Sequence, residues 1–157
     1  MHVCKGFQPV LGCKCKVCKE GFFTSIVYPQ VSKERGFSLP APVNCLSVNV
    51  IYLIICPCGK YYVGRTDNPR HRWANHKSHI RTSFTSCNLA DHCVGNHKEL
   101  LGADKLYELA EVKSALRFTL LESLGRDADL EDVKSREGVW RTRLESWVPL
   151  GLNVRDD

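Results

Sequence analysis

Apolar residues fall into regular patterns from Val48 onward. Val50, Tyr52 and Ile54 alternate with Ile51, Leu53 and Ile55. That predicts a strand apolar on both faces, and so a central one. Pro57-Cys58-Gly59 has turn chemistry and residues 60–65 read as a second strand, so the two form an antiparallel hairpin. Asp67-Asn68-Pro69 supplies an N-cap and a first-turn proline for a helix running to about Ile80. A shorter helix is expected over 88–94, stopping at Gly95-Asn96, and another over 106–112. Leu116, Phe118 and Leu120 alternate with Arg117 and Thr119, which predicts a third strand. Val133, Trp140, Leu144 and Trp147 recur at helical spacing, which predicts a last helix over 130–147, ended by Pro149.

The first 44 residues lack such patterning. They hold four cysteines and four of the seven prolines, with only short apolar stretches. A segment this size builds little core by itself, so a metal is the expected staple. The reading divides the chain into a cysteine-rich extension, 1–46, and a second unit, 47–157. Over the 157 residues, 43% are hydrophobic and 25% charged, enough to bury a core. The net charge of +5 is uneven, since the first hundred residues carry +8 and the remainder −3. A polyanion is drawn to the front two thirds. The longest apolar run, 50–56, is far short of the roughly twenty residues needed to span a bilayer. The opening residues form no signal-peptide core. Nine cysteines, an odd number, beside six histidines argue for reduced thiols, several of them metal ligands. The expected setting is therefore intracellular and reducing, nuclear or cytoplasmic, neither secreted nor in a membrane.

The last predicted helix carries the sharpest chemical clue. Its apolar stripe runs 133, 137, 140, 144, 147, and position 137 is Glu. A carboxylate on a core-facing stripe is costly unless paired. Either it forms a buried salt bridge with an arginine, or it is a metal-ligating carboxylate facing a cleft. Arg72 and His76, four apart on the first helix, point the same way. Arg65, Arg70, Lys77 and Arg81 add a basic patch suited to phosphate contacts, which give affinity without sequence specificity. Tyr52 and Tyr62 lie on paired strands.

These residues, in order, resemble the GIY-YIG nuclease superfamily. Val50-Ile51-Tyr52 is followed ten residues later by Tyr62-Val63-Gly64, and then come Thr66, Arg72 and His76. Glu137 with Trp140 and the closing Pro149-Leu150-Gly151-Leu152-Asn153 complete the pattern over about 48–153. One departure is Val50, which stands where the first motif has glycine. Cys56, Cys58, His92-Cys93 and His97, with the upstream Cys13, Cys15, Cys18 and Cys45, are most similar to the endonuclease domains of Penelope-like retroelements. The resemblance implies an α+β fold, a small three-stranded antiparallel sheet flanked by helices, with the cysteine-rich extension binding zinc. It implies metal-dependent nicking of DNA in the service of retroelement integration. A reverse transcriptase in the same parent polypeptide, and its RNA, are implied partners.

The same resemblance assigns roles. Tyr52 activates or positions the attacking water and Tyr62 assists it. Arg72 stabilises charge on the phosphoryl oxygens, His76 shuttles a proton or contacts phosphate, Glu137 holds one Mg²⁺ or Mn²⁺, and Asn153 orients the site. Which group is the general base stays open, since an unperturbed phenol titrates near about pH 10. A structural Zn²⁺ on Cys56, Cys58, His92 and His97 fits the turn and the H-x4-H spacing. The alternative is a buried apolar Cys56 with surface histidines. A second Zn²⁺ is expected on Cys15, Cys18 and Cys45, with Cys13 or Cys4 as fourth ligand. Cys87 and Cys93 are read as packing residues. The competing function is a zinc-stabilised nucleic-acid-binding module with a degenerate nuclease fold.

Overall fold

A computed structural model describes residues 5–85, 87–98 and 116–154. The helix expected over 106–112, and Cys4, lie outside them. The predicted hairpin is strand β5 (Val50–Ile55) paired antiparallel with β6 (Tyr61–Thr66), and β7 (Arg117–Ser123) pairs antiparallel on the other edge of β5. The sheet order is β6-β5-β7, so the strand apolar on both faces is the central one. The expected α+β class, a small three-stranded antiparallel sheet with helices, is the observed one.

Side chains alternate across the sheet and two cores result. Val50, Tyr52 and Ile54 meet Phe118, Leu120 and the helices α2 (Pro69–Arg81) and α3 (Asn88–Asn96) through Trp73, Ile80, Leu89 and Cys93. Trp73 stacks on Phe118 at 4.7 Å. On the opposite face Ile51, Leu53, Val63 and Leu121 meet helix α4 (Leu130–Arg143) through Val133 and Trp140, with Leu144 just beyond it. Each such fully buried side chain contributes roughly 1.5–3 kcal/mol. Asn68 caps α2 as predicted, its side chain accepting from His71 N at 3.1 Å, with Pro69 in the first turn. Asp129 caps α4 in the same way, on Asp132 N at 2.9 Å.

The leading segment forms more structure than its composition suggests. Short strands β1 (Gly6–Phe7) and β4 (Pro42–Val43) pair in parallel, and β2 (Ile26–Val27) pairs antiparallel with β3 (Phe37–Ser38). Between them lies the short helix α1 (Lys16–Glu20). Phe7, Val17, Val43 and Cys45 enter the first core, while Val27 and Leu39 enter the second. Few apolar residues suffice because they complete cores that the sheet begins.

The last helix is shorter than expected. It stops at Arg143, and Glu145 takes a left-handed φ of 59°. Trp147 then forms a parallel bridge with Asn153. Trp147 continues the helical spacing, yet Asn153 N donates to Ser146 O and Val148 N to Asn153 O, both at 2.8 Å. Those bonds replace a further helical turn and fold the 149–153 segment back onto β6, where Leu152 N donates to Tyr61 O at 2.9 Å.

Candidate active site and metal-binding clusters

A cleft of about 200 Å³ opens at the β6 side of the sheet, lined by Tyr52, Tyr62, Gly64, Arg65, Arg72, Glu137 and Arg141. Tyr52 sits opposite Gly64 in the β5–β6 register. A methyl group at position 64 would strike the Tyr52 ring and hydroxyl, so the glycine is what lets the ring cross β6 and reach the cleft. Tyr52 Oη and His76 Nε2 share a hydrogen bond of 2.7 Å. His76 comes from α2, one turn beyond the exposed Arg72. Tyr62 lies 5.6 Å from the His76 ring, centroid to centroid.

Burial sets the protonation of this group. It pushes the Tyr52 phenol well above its ordinary range and Tyr62 up to about 12. Burial, followed by the nearby Arg72 and His79 charges, pushes His76 down to about 3. The imidazole is therefore neutral in the folded protein at physiological pH. In the unfolded chain His76 regains its ordinary value of 6.5. The unfolded state then binds the extra proton first, so His76's contribution is fully present above 6.5 and is lost as pH falls toward 3. Lowering the pH from about 7.5 to about 5.5 is expected to remove about 1 kcal/mol through this residue. Urea unfolding of wild type and His76→Gln at both pH values checks it; equal slopes with pH in the two proteins contradict it.

Glu137 reaches the cleft from α4 and is 4% exposed. Its Oε1 lies 3.2 Å from Arg65 Nη1 and 3.0 Å from Arg141 Nη2, and its Oε2 lies 3.3 Å from Arg65 Nη1. The salt-bridge alternative is thus the observed state, and it sits inside the cleft. The rotation of α4 that produces this is set on its neighbouring face. Arg136 and Trp140 both donate to Glu122 Oε1 on β7, at 2.8 and 2.9 Å. Arg141 was not among the expected site residues. Its signal in the sequence was the i,i+4 spacing from Glu137, which places both on one helix face.

The remaining expected residues divide. Asn153 is buried behind β6 and does not line the cleft. Its Oδ1 accepts from Val63 N at 2.9 Å and Ser146 Oγ at 2.6 Å, and its Nδ2 donates to Val63 O at 2.9 Å. It acts as a clamp on the strand that carries Tyr62 and Gly64. The expected phosphate patch is also rearranged. Lys77 is buried, with Nζ 2.6 Å from Glu20 Oε2, which also accepts from Trp73 Nε1. It ties α1 to α2, because position 77 falls beside Trp73 on the core side of the helix. Arg65 pairs with Glu137, and Arg70 Nη2 lies 3.4 Å from Cys13 Sγ and 3.3 Å from Cys45 Sγ. Arg81 is exposed at the end of α2.

Among the described residues, two groups of side chains have the chemistry of metal ligands. The ligand atoms of Cys13, Cys15, Cys18 and Cys45 all lie within 4.8 Å of one another, as do those of Cys56, Cys58, His92 and His97. Zn–S bonds of about 2.3 Å in a tetrahedron place sulfurs about 3.8 Å apart. Cys13 and Cys45 are 3.8 Å apart and Cys18 and Cys45 3.4 Å. In the second group Cys58 Sγ lies 3.3 Å from His92 Nε2, itself 3.2 Å from His97 Nε2. His97 caps α3 in a non-helical conformation, so its ring turns back to meet His92 although five residues separate them. Both groups fit a zinc ion, and the first takes Cys13 as its fourth member.

Residues 48–116 match the family model of the GIY-YIG catalytic domain. The match ends before α4, so Glu137 joins the cleft by geometry, outside the matched residues. Among solved structures, the chain is similar to the catalytic domain of homing endonuclease I-TevI, with 20% identity over 68% of this chain and 97% of that one, and a TM-score of 0.49. It is also similar to a mutant of the catalytic domain of intron endonuclease I-TevI, with 19% identity over 68% of this chain and 93% of that one, and a TM-score of 0.49. No curated protein matches the chain. The motif residues Tyr52, Tyr62, Gly64, Arg72 and His76, and the β5–β6 register that pairs Tyr52 with Gly64, all fall within the 48–116 segment that matches the GIY-YIG catalytic domain model.

Proposed function

We propose that this chain is a metal-dependent endonuclease that nicks DNA by hydrolysing phosphodiester bonds. The observation that carries the reading is the convergence of Tyr52, Tyr62, Arg72 and Glu137, from four separate elements, on one cleft. A carboxylate donor there suits Mg²⁺ or Mn²⁺, which take oxygen ligands and keep several waters. Glu137 would hold one such ion. When bound, it would supply charge neutralisation at phosphorus and a more acidic water.

The protein's own groups divide the remaining work. Tyr52, whose phenol does not ionise by itself at neutral pH, takes a proton from the attacking water while passing its own to His76 Nε2. The pair thus acts as a relay without a free phenolate. Phosphate charge close to Arg72 offsets one of the influences that hold the His76 pKa down, which favours the relay once substrate is bound. Arg72 neutralises charge on the phosphoryl oxygens, and the Tyr62 hydroxyl steadies the water. Asn153 keeps β6 in register behind them. The exposed Arg72 and Arg81 contact the DNA backbone, and the excess positive charge of the first hundred residues draws the polyanion in.

The two cysteine and histidine groups each hold a structural Zn²⁺ in this reading. One fastens the β5–β6 turn to α3, and the other fastens the 13–18 segment to Cys45, just before β5. Zinc held by reduced thiols suits a nuclear or cytoplasmic setting, and that is the compartment this reading proposes. No helix among the described residues is long and apolar enough to cross a membrane. The thiol-rich lead-in and the cysteines between the two motif strands favour an origin in a Penelope-like retroelement, with nicking at the integration site. A reverse transcriptase and its RNA are the partners in that setting.

Plasmid nicking with Mg²⁺ or Mn²⁺ against EDTA tests the reading. Arg72→Ala is expected to slow nicking by about 10³-fold or more, as for other transition-state arginines. A loss of only a few fold makes Arg72 a binding residue. DNA binding without any metal-dependent nicking by the wild-type protein favours the nucleic-acid-binding module instead.

A further inference from the structure

The cleft holds one carboxylate and three guanidinium groups, from Arg65, Arg72 and Arg141. Two of them already occupy the carboxylate, since Arg65 and Arg141 reach Glu137 at 3.2 and 3.0 Å and between them engage both of its oxygens. A divalent ion entering this cleft meets a net positive charge, and it has to displace a guanidinium from Glu137, the only carboxylate lining it among the described residues. A phosphodiester meets the opposite situation, since arginine forks match phosphate oxygens as well as carboxylate oxygens. Arg65 has its side chain 35% exposed, against 12% for Arg141, so it is the freer of the two to swing toward a ligand. Arg141 is anchored by Nε donating to Val63 O at 3.3 Å and by lying over the Trp147 ring at 5.3 Å.

We propose that Arg65 and Arg141 form, with Arg72, the subsite for the nucleic-acid phosphate, and that its occupancy releases Glu137 to bind the metal. Substrate and metal then load the cleft together. With no phosphate bound, the two arginines hold the carboxylate shut and keep the site weakly loaded. Coupling of this kind is reciprocal, so the metal strengthens phosphate binding by the same factor that phosphate strengthens metal binding. The proposal rests on the nuclease reading and names Arg65 and Arg141 as substrate ligands rather than structural ion-pair partners.

Mn²⁺ binding to the zinc-loaded full chain, followed by electron paramagnetic resonance, tests it without turnover. The probes are Mn²⁺ alone and Mn²⁺ with a short duplex of hydrolysis-resistant phosphorothioate DNA, and Glu137→Gln measures the background held by DNA and other sites. Wild type is expected to gain about tenfold in Glu137-dependent Mn²⁺ affinity when the duplex is added, within the usual range of such couplings. Arg65→Gln, which removes a half-exposed side chain, is expected to bind Mn²⁺ about tenfold more tightly than wild type with no DNA present. Glu137-dependent Mn²⁺ binding that neither the duplex nor Arg65→Gln changes overturns the linkage and leaves the nuclease reading standing. Mn²⁺ binding identical in wild type and Glu137→Gln under all conditions overturns both.

Discussion

Glu137→Gln is expected to abolish metal-dependent nicking, a fall of at least about 10³-fold, while leaving DNA binding measured without divalent metal at or above the wild-type level. The amide keeps the shape of the side chain and an oxygen that accepts from Arg65 or Arg141. It removes the negative charge that an oxygen-seeking ion requires. The cleft becomes more positive by one charge, so phosphate is held no less firmly. The same change weakens a buried pair. Removing one partner of such a pair costs about 3–5 kcal/mol when both are fully buried. Arg65 has 35% of its side chain exposed, and solvent screening brings the expected loss nearer about 1–2 kcal/mol. Thermal unfolding shows whether the variant remains folded, fluorescence anisotropy reads DNA binding, and plasmid relaxation reads nicking. A folded Glu137→Gln protein that nicks like wild type removes the nuclease assignment, because no other carboxylate among the described residues lines the cleft.

Zinc removal is expected to have the largest effect on stability. Reduced protein is expected to carry two zinc ions per chain, one for each group of four ligands. Cys45 is buried in the first core beside Phe7, Val17 and Val43, and it meets the thiols of Cys13 and of Cys18 on α1. Structural zinc contributes on the order of 10 kcal/mol in small domains. Loss of even about 5 kcal/mol lowers the melting temperature of a chain this size by roughly 10–20 °C. Cys45→Ser is therefore expected to release one zinc and to melt at least about 10 °C below wild type. Nicking falls with it, because Arg70 contacts this cluster from the first turn of α2, two residues before Arg72. Reduced, folded wild-type protein containing no zinc, by elemental analysis, removes both sites.

The elements that were legible in the sequence are those built from local patterns. A strand apolar on both faces has to be central, and β5 is. Asn68-Pro69 starts a helix because the cap and the fixed proline φ act within one turn, and α2 starts there. The 147 end of the last helix was misread for an equally local reason. Trp147 keeps the helical period, but its partner is Asn153, and no window of helical spacing contains that contact. Segment 1–46 was underestimated because its few apolar side chains complete cores whose other walls come from β5, β7 and the helices, outside the segment.

For the site, the resemblance to the GIY-YIG pattern, carried by residue order and spacing, nominated Tyr52, Tyr62, Arg72, His76 and Glu137, while ligand chemistry and spacing grouped the eight metal-ligating candidates. They also established that a carboxylate stands on an apolar helical stripe, which is costly unless it is paired or bound. Arg141 is its i,i+4 neighbour on α4, so that pairing is local, but only the folded chain decided that Arg65 from β6 also pairs it. Lys77 and Arg70, basic residues like their neighbours in sequence, turn away to Glu20 and to a cysteine cluster. Asn153 became a clamp on β6 rather than a group in the cleft. Side-chain type and helical phase are properties of a few adjacent residues, so sequence determines them. Which charges neutralise one another depends on distances of a few ångströms between distant segments, and tertiary packing alone sets those.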